Sequence, residues 1–360
     1  MSFRIEQFNY ELPPALIAQT PANPRDSSRM LVLDRVTGEI QHKHFFNLPD
    51  FLSDNDVLVR NNTKVIPARI FGQKDTGGKC EILLVQHVQN NLNNCEWECM
   101  TKPGLRENQT VSFAESSMVA TCIKITGYTR ILQFGVPIQD FYLELNRLGK
   151  TPIPPYIHWA ENDEENLREL YQTTYAKIQG SAAAPTAGLH FTKELDKKLH
   201  ERGVSFAEVT LHVGLGTFLP LLPEQIEAGK LHHEMYEITE ETAQQLNQAK
   251  KAGKKIVAVG TTTTRTLETL ADSAGVLHAG VGQTDLFIQP GTAFKFVDKM
   301  ITNFHLPKSS LLMLVSAFTT EPNAPHQFNT FLLTPVGQAY EIAITEQYRF
   351  FSFGDGMLIK

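Results

Sequence analysis

The 360-residue sequence lacks any apolar run of the roughly 18 residues that a membrane-spanning helix needs. Its longest apolar run, LLMLVSAF at residues 311–318, has the length of a helix buried in a protein core. The N-terminal segment also lacks the long apolar stretch and small-residue cleavage site of a secretory signal peptide. We therefore expect a cytoplasmic protein that makes no contact with a membrane.

Cysteine is scarce, and its spacing argues against a metal site. The four cysteines, Cys80, Cys95, Cys99 and Cys122, all fall in one third of the chain. Without a secretory context, reduced thiols are expected. Cys95 and Cys99 have no further cysteine at the short spacing that a zinc site or an iron–sulfur cluster requires. We expect structural cysteines and no bound metal.

The sequence has no excess of positive charge. Its net charge of −6 and isoelectric point near 6.1 argue against a protein that coats nucleic acid nonspecifically. A local basic face remains compatible with these values. Arg60, Lys64 and Arg69 cluster along the chain and are our predicted contacts with RNA. The alternative is that they are ordinary solvated surface charges.

Several catalytic motifs are missing, namely HEXXH, the phosphate-binding P-loop and the G-x-S-x-G elbow. The segment HVGLGTF at residues 212–218 contains a G-x-G after a predicted strand. A dinucleotide fingerprint needs a third glycine and an immediate helix, whereas Phe218, Leu219 and Pro220 follow here. Gly214 and Gly216 are better explained as allowing a flat ring to approach the backbone.

Residues 57 to about 148 show one texture, that of short strands. These segments are rich in β-branched and aromatic residues and are separated by Gly, Asn and Lys turns. They are VLVRNNT, KCEILLVQHV, CEWECMT, TVSFA and MVATCIKI. No long helical period is visible there, which favours a compact antiparallel barrel. The proline-rich GKTPIPPYI at residues 149–157 predicts a stiff, extended connector.

The remainder of the chain alternates strands and helices. IVAVG at 256–260 is typical of a strand buried on both faces, and the pattern predicts helices at 240–252 and in TTTTRTLETLA. TDLFIQPG at 284–291 and MITNFHLP at 300–307 are predicted strands. We predict an α/β protein with a larger mixed α/β domain, residues 1–60 and 151–360. A small antiparallel β-barrel domain, residues 61–150, is inserted into it.

The turn between IVAVG and TTTTR predicts a ligand site. Free amide groups at a helix N-terminus, together with threonine hydroxyls, suit a carboxylate or phosphate. Arg265, one turn into the helix, could add a bidentate contact. Thr262, Thr263 and Thr264 are therefore predicted to bind substrate. The alternative is a plain helix start with the threonines as caps and Arg265 on the surface.

Three histidines share one placement, because His190, His212 and His305 each end or follow an apolar segment beside Gly or Pro. Each alone suits a hydrogen-bonded structural residue, but together they favour a shared cleft at the carboxyl ends of strands. In HHEMY, His232 and Glu234 would point to the same face of a strand. They are candidates for an acid–base pair or for binding a polar substrate.

Several segments together resemble the S-adenosylmethionine:tRNA ribosyltransferase-isomerases of queuosine biosynthesis. They are RDSSRMLVLDR, NNTKVIPARIFG, PIPPYI, YQTTYAKIQGSAAAPTAGLHFT, TLHVGLGTF, GTTTTRTLET, TDLFIQPG, ITNFHLPKSSLLMLVSAF and YRFFSFGDGMLI. The resemblance runs from about Tyr10 to Ile359. It departs at Arg60, where an apolar residue is expected, and in the less familiar segment 319–337.

The resemblance implies a reaction on tRNA that carries 7-aminomethyl-7-deazaguanine at the wobble position. The ribosyl part of S-adenosylmethionine is transferred to that base and isomerised, giving epoxyqueuosine-tRNA with release of adenine and methionine. S-adenosylmethionine is then a consumed substrate, and no cofactor, metal or membrane is implied. We also expect a monomer.

The chemistry suggests roles for the motif residues. We predict His190, His212, Glu234 and Arg265 as catalytic, the first three in proton transfer and Arg265 at the methionine carboxylate. The bare loop GSAAAPTAGLHFT would close tightly over a nucleoside. The predicted substrate-binding residues are Thr186, Gly188, Gly214, Gly216, His232, Thr262, Thr263, Thr264, Asp285, Asn303 and His305.

We expect all these residues to gather in one dry pocket. Two rival hypotheses stay open: an RNA-binding module without catalysis, and a nucleotide-dependent oxidoreductase.

Overall fold

The computed structural model describes residues 3–90, 93–160, 163–214, 221 and 223–360. A nine-stranded sheet and a closed six-stranded barrel dominate it. This confirms the predicted fold class, a mixed α/β protein that carries an antiparallel β-barrel. Among the described residues, no helix combines the length and apolar character needed to cross a membrane.

Seventeen strands and eight α-helices can be assigned within these ranges. The strands are β1 (Arg29–Leu33), β2 (Ile40–His44), β3 (Asp56–Asn61), β4 (Thr63–Val65), β5 (Arg69–Lys74), β6 (Lys79–Asn90), β7 (Cys95–Lys102), β8 (Thr110–Ser112), β9 (Val119–Thr126), β10 (Thr129–Phe134), β11 (Ile178–Ser181), β12 (Ser205–Leu211), β13 (Lys230–Ile238), β14 (Lys255–Val259), β15 (Gly280–Leu286), β16 (Lys299–Asn303) and β17 (Gly356–Ile359). The helices are α1 (Ile138–Leu148), α2 (Glu164–Leu170), α3 (Lys193–Glu201), α4 (Pro223–Ala228), α5 (Glu240–Lys251), α6 (Thr261–Leu270), α7 (Ser310–Phe318) and α8 (Pro335–Thr345).

The large sheet has the strand order β15-β13-β12-β3-β14-β16-β17-β1-β2. Its central strands β12, β3, β14 and β16 are parallel to one another. Such strands are buried on both faces, which explains the continuous apolar run IVAV in β14. Because the four strands point the same way, their carboxyl ends meet at one edge, where ligands bind in open α/β sheets.

VLVR belongs to the strand-rich segments, but the predicted boundary at residue 60 assigns it to the larger domain. In the structure it lies in β3, in the middle of the large sheet, and every residue of β3 is buried. Its two faces pack into different cores, Val57 and Val59 into one and Leu58 into the other.

Helix α1 was not predicted, although its apolar residues recur at helical spacing along one face. Phe141 and Leu145 lie in the barrel core, and Ile138, Tyr142 and Leu148 pack against it.

The barrel closes in the order β10-β7-β6-β5-β8-β9, with β9 pairing back to β10. Its core contains Trp97 and Phe134 and the four buried, free cysteines. The barrel strands run from Arg69 to Phe134, within the predicted 61–150 segment. The exact domain boundaries stay a prediction.

A two-stranded sheet connects the segment that precedes the barrel to the start of the loop GSAAAPTAGLHFT. Strand β4 pairs in parallel with β11, in which Gly180 lies. Gly180 has φ +147°, and a Cβ there would lie 2.8 Å from the His212 ring. A side chain at this position would displace the imidazole, so glycine is required where the loop begins.

Several local predictions are confirmed. Thr192 caps α3 by accepting a hydrogen bond of 3.0 Å from the Leu195 amide, and Gly203 follows α3 with φ +81°. Helices α5 and α6 begin where expected. The strand predicted at 284–291 instead covers Gly280–Leu286, because pairing with β13 begins at Gly280.

Candidate functional site

Two cavities lie near the carboxyl edge of the parallel strands. The larger, about 740 Å³, separates barrel strands β6 and β7 from β13 and the end of β12, and we call it the barrel–sheet cleft. Its volume is in the range of small-molecule sites. Its titratable side chains include His87, Tyr128, His212, His232, His233 and Glu234.

His212 follows β12 and is half-buried in the wall of the cleft. Its Nδ1 lies 2.8 Å from the Thr63 hydroxyl, which fixes the ring. Burial, and secondarily the proximity of His87, lowers the pKa of His212 to about 4. The imidazole is therefore neutral near pH 7, with a proton on one ring nitrogen and a lone pair on the other.

Glu234 and Arg265 form a buried ion pair beside the cleft, each about 5% exposed. The second carboxylate oxygen of Glu234 accepts a hydrogen bond of 3.0 Å from the Gly214 amide. The sequence predicts that Arg265 faces a ligand carboxylate, but in the structure it faces this carboxylate of the chain itself. Glu234 is thus held by two donors and orients the backbone at Gly214.

His232 lies on the rim of the cleft, on the same strand as Glu234. Its imidazole lies 3.0 Å from the hydroxyl of Tyr128, a barrel residue between β9 and β10. Both His232 and Glu234 line the cleft. His233 and Met235 line it too, so the shared strand face that the spacing of His232 and Glu234 predicts stays a prediction. His232 therefore bridges the barrel and the sheet.

The smaller cavity, about 60 Å³, lies at the carboxyl ends of β14 and β16, and we call it the switch-point cavity. Its lining includes Thr186, Gly260, Thr261, Thr262, Asn303 and His305. Gly260, at φ +92°, precedes α6 without a side-chain cap. The first amides of α6 therefore remain available to an anion.

The first four residues of α6, all threonines, divide into two pairs. Thr261 and Thr262 line the switch-point cavity. Thr263 and Thr264 are fully buried, and their hydroxyls donate to the carbonyls of Val259 and Gly260 at 2.7 and 3.1 Å. Substrate contacts predicted for Thr263 and Thr264 are therefore not available in this structure, because the helix turns these side chains away from the cavity.

His305 lines the switch-point cavity in a neutral form. Its Nε2 lies 2.9 Å from the Thr302 hydroxyl, and its amide donates to the Tyr340 hydroxyl at 2.8 Å. Burial lowers the pKa of His305 to about 3. The side chain can donate or accept one hydrogen bond there, but it does not carry a charge near pH 7.

His190 lies behind the switch-point cavity. Its ring stacks on Phe45 with centroids 3.9 Å apart. Its two nitrogens lie 2.7 Å from the Ser28 hydroxyl and 3.3 Å from the Asn303 amide nitrogen. Burial, reinforced by Arg349 and Arg25, lowers the pKa of His190 to about 3. With both nitrogens engaged, His190 is poorly placed for the acid–base role that the sequence suggests.

The expected single dry pocket is thus two cavities, which share the segment 212–214 as a wall. His212, Gly214, His232 and Glu234 belong to the cleft, and Val213 lines the switch-point cavity. The division arises because β12 ends between them.

Two other predicted substrate residues, Gly188 and Asp285, lie elsewhere. Gly188 packs under Tyr175, whose hydroxyl would lie 2.0 Å from an added Cβ, so this glycine serves packing. Asp285 pairs with Lys230 at 2.9 Å outside both cavities, and this contact lowers the pKa of Asp285. Gly216 falls in 215–220, outside the described residues.

The predicted RNA contacts differ in exposure. Arg60 is buried, pairs with Asp196 at 2.7 Å and lies over the rings of Tyr175 and Phe206. Its expected surface position is wrong, because β3 is a central strand.

The other two predicted RNA contacts are more accessible. Lys64 is exposed, and Arg69 is half-buried against Glu81 at 2.7 Å.

Sequence reasoning missed the partners of the histidines. Ser28 lies in RDSSR and Thr63 in NNTK, so both stood in motif segments that could have signalled them. Tyr128 and His87 lie in barrel strands and turns without any such signal. Their positions in the cleft follow only from the way the barrel is placed against the sheet.

Residues 5–359 match the profile of a family described as "Queuosine biosynthesis protein". Proteins named S-adenosylmethionine:tRNA ribosyltransferase-isomerase are among the similar sequences. That from Carboxydothermus hydrogenoformans is 50% identical over 99% of both chains, and that from Caldanaerobacter subterraneus subsp. tengcongensis is 49% identical over 98% of both.

A solved structure is also similar over nearly the whole length. The crystal structure of an S-adenosylmethionine tRNA ribosyltransferase from Thermotoga maritima is 38% identical in sequence. The match has a TM-score of 0.54 and covers 98% of this chain and 100% of that one.

Proposed function

The chain belongs to the queuosine biosynthesis protein family, and from this premise we propose its reaction in residue terms. It is an S-adenosylmethionine:tRNA ribosyltransferase-isomerase. We propose that the acceptor is tRNA with 7-aminomethyl-7-deazaguanine at the wobble position and that the product is epoxyqueuosine-tRNA. Adenine and methionine are the other products, so S-adenosylmethionine is a consumed substrate.

The reaction requires proton transfers at defined atoms. The positive sulfur makes the adjacent C5′ hydrogens acidic, and a positioned base can remove one. Adenine leaves more readily when a donor protonates its ring. The amine of the acceptor base then attacks C1′, and closure of the epoxide expels methionine.

The observation that carries the assignment of a site is the neutral His212 in the wall of the barrel–sheet cleft. Its ring is fixed by Thr63 and backed by Gly180, so it can receive a proton at a fixed position. A cleft of about 740 Å³ has room for a nucleoside and for an extruded base. We propose His212 as the acid–base residue and His232 as a substrate contact.

Glu234 and Arg265 act as positioning residues in this proposal. Together they hold the Gly214 amide at the floor of the cleft. The uncapped start of α6, with Thr261 and Thr262, is the proposed site for the methionine carboxylate. We further propose a cytoplasmic monomer. Because S-adenosylmethionine is consumed as a substrate, the proposed reaction requires no resident cofactor or metal.

The test uses S-adenosylmethionine labelled in the ribose and tRNA that carries the precursor base. We expect label to enter tRNA while one adenine is released for each ribosyl group transferred. An unmodified tRNA that lacks the aminomethyl group is the control and should acquire no label. Absence of label from precursor tRNA, with adenine still bound in the donor, would contradict the proposed function.

A further inference from the structure

We propose that the switch-point cavity selects a zwitterionic α-amino-acid head group, that of the sulfonium donor, through the carbonyl oxygen of Asn303. A buried chain of hydrogen bonds, from Ser28 through His190 to the Asn303 side chain, fixes the direction of that oxygen. This inference rests on the proposed function and deepens it. It gives His190 a positioning role in place of the acid–base role suggested by its sequence context.

The hydrogen-bond directions follow from the partners. The Ser28 hydroxyl donates to the Arg25 carbonyl at 2.9 Å, so its oxygen is left to accept from His190 Nδ1 at 2.7 Å. In a neutral imidazole, the other nitrogen is then an acceptor. Nε2 therefore accepts from the Asn303 Nδ2 at 3.3 Å.

The amide of Asn303 has only one orientation that satisfies these contacts. Its Nδ2 also donates to the Phe351 carbonyl at 3.2 Å. A flipped amide would set its oxygen against two acceptors, His190 Nε2 and the Phe351 carbonyl. The carbonyl oxygen is thus fixed on the side away from His190, a residue that does not line the cavity.

That oxygen has no partner among the described residues. Asn303 is about 2% exposed, lines the switch-point cavity, and its Oδ1 makes no hydrogen bond. Buried polar atoms in folded proteins are nearly always satisfied. An acceptor left open in this way calls for a ligand that brings an N–H or O–H group.

The opposite requirement comes from α6. Its uncapped N-terminus presents free amides and the positive end of the helix dipole to the same cavity. One wall attracts an anion and another needs a donor. A carboxylate and an ammonium group on one carbon meet both requirements, whereas phosphate would place oxygens against the Asn303 carbonyl.

The volume agrees with a head group. A cavity of about 60 Å³ holds only a few water-sized groups, so a nucleoside does not fit. The rest of the donor must therefore lie outside this cavity. The nearest part of the cleft is the wall at segment 212–214, where Val213 lines this cavity and His212 and Gly214 line the cleft.

The experiment compares two ligands that differ in the head group. S-adenosyl-L-homocysteine carries the zwitterion, and 5′-methylthioadenosine has a methyl group instead. Dissociation constants are measured by titration calorimetry on the full chain. We expect the wild type to prefer S-adenosyl-L-homocysteine. Asn303→Leu should reduce this preference about tenfold or more, the effect of losing a hydrogen bond to a charged group.

A second variant tests the hydrogen-bond chain from Ser28 through His190 without changing Asn303. Ser28→Ala removes the acceptor that fixes the His190 tautomer, and the preference should fall severalfold. His158→Ala, an exposed histidine outside both cavities, is the matched control and should keep the wild-type preference. A purely structural role would weaken both ligands equally and leave their ratio unchanged.

The proposal is overturned if the wild type binds both ligands equally, or if Asn303→Leu leaves the ratio of the two dissociation constants unchanged. The ribose-label assay on the same wild-type preparation separates the two hypotheses. Label in tRNA without head-group preference removes only this inference. No label in tRNA removes the proposed function, whatever the binding ratio.

Discussion

The two cavities at the edge of the sheet are built in opposite ways. The switch-point cavity is small, and its lining includes buried polar side chains that bond mostly to other residues of the chain. The barrel–sheet cleft is more than ten times larger in volume and is lined by half-buried imidazoles from several elements. The switch-point cavity is suited to binding a small chemical group in a fixed orientation. The barrel–sheet cleft is suited to admitting a bulky substrate and to proton transfer.

The two cavities also differ in the charge state of their buried side chains. Burial keeps both His305, which lines the switch-point cavity, and His190, which lies behind it, neutral, so these residues orient partners through hydrogen bonds. In the cleft, the buried charges are paired as Glu234 and Arg265, and His212 is left with one fixed nitrogen.

The largest effect is expected for the buried ion pair of the cleft. Arg265→Met leaves the Glu234 carboxylate uncompensated and should lower the free energy of unfolding by about 3–5 kcal/mol, measured by urea denaturation. Adding Glu234→Gln should recover most of the loss. Arg147→Met, which breaks an exposed pair with Glu144, should cost at most about 1 kcal/mol. If Arg265→Met and Arg147→Met lowered the free energy of unfolding equally, the expected difference between the buried and the exposed ion pair would be wrong.

His212 tests the chemistry of the cleft. His212→Gln should slow single-turnover label transfer about a hundredfold or more, the usual contribution of a general acid or base. The thermal midpoint should change little, because the side chain is half-buried. His278→Gln, at a histidine that pairs with Asp272 on the surface, is the control. A rate within twofold of wild type would assign His212 a structural role.

The two buried histidines at the switch-point cavity should make the free energy of unfolding depend on pH. His190 and His305 have folded pKa values of about 3, below the ordinary 6.5, so the unfolded chain binds more protons between these values. Stability should therefore fall as pH decreases from 6.5 toward 3. His305→Gln should reduce the slope by about 1.4 kcal/mol per pH unit near pH 4.5. Urea titrations at several pH values measure this, and an unchanged slope would contradict burial of a neutral His305.

The smallest effect concerns the junction between barrel and sheet. Lys64 is exposed and Arg60 is buried, although they lie four residues apart. Lys64→Ala should weaken tRNA binding a few-fold and reduce the slope of log K against log salt by about 1. Arg60→Met should leave that slope unchanged and lower stability instead. The reverse pattern, measured by filter binding at several salt concentrations, would restore the original prediction for Arg60.

Local elements could be predicted because their signals are short-range. The Thr192 cap, the buried run of β14 and the start of α6 each depend on residues within a few positions of one another. The role of Arg60 could not be predicted, because its burial depends on Asp196, Tyr175 and Phe206, which lie over a hundred residues away. A charge in a strand pattern does not reveal whether such partners exist.

The sequence by itself determined the alternation of strands and helices, the barrel texture, and the motif residues that place the chain in its family. Only the tertiary structure decided that those residues divide between two cavities, that Glu234 binds Arg265, and that His190 faces Ser28 and Asn303. The physical reason is range. Backbone propensity and apolar periodicity act over a few residues, whereas burial, tautomer and ion pairing depend on neighbours supplied by distant parts of the chain.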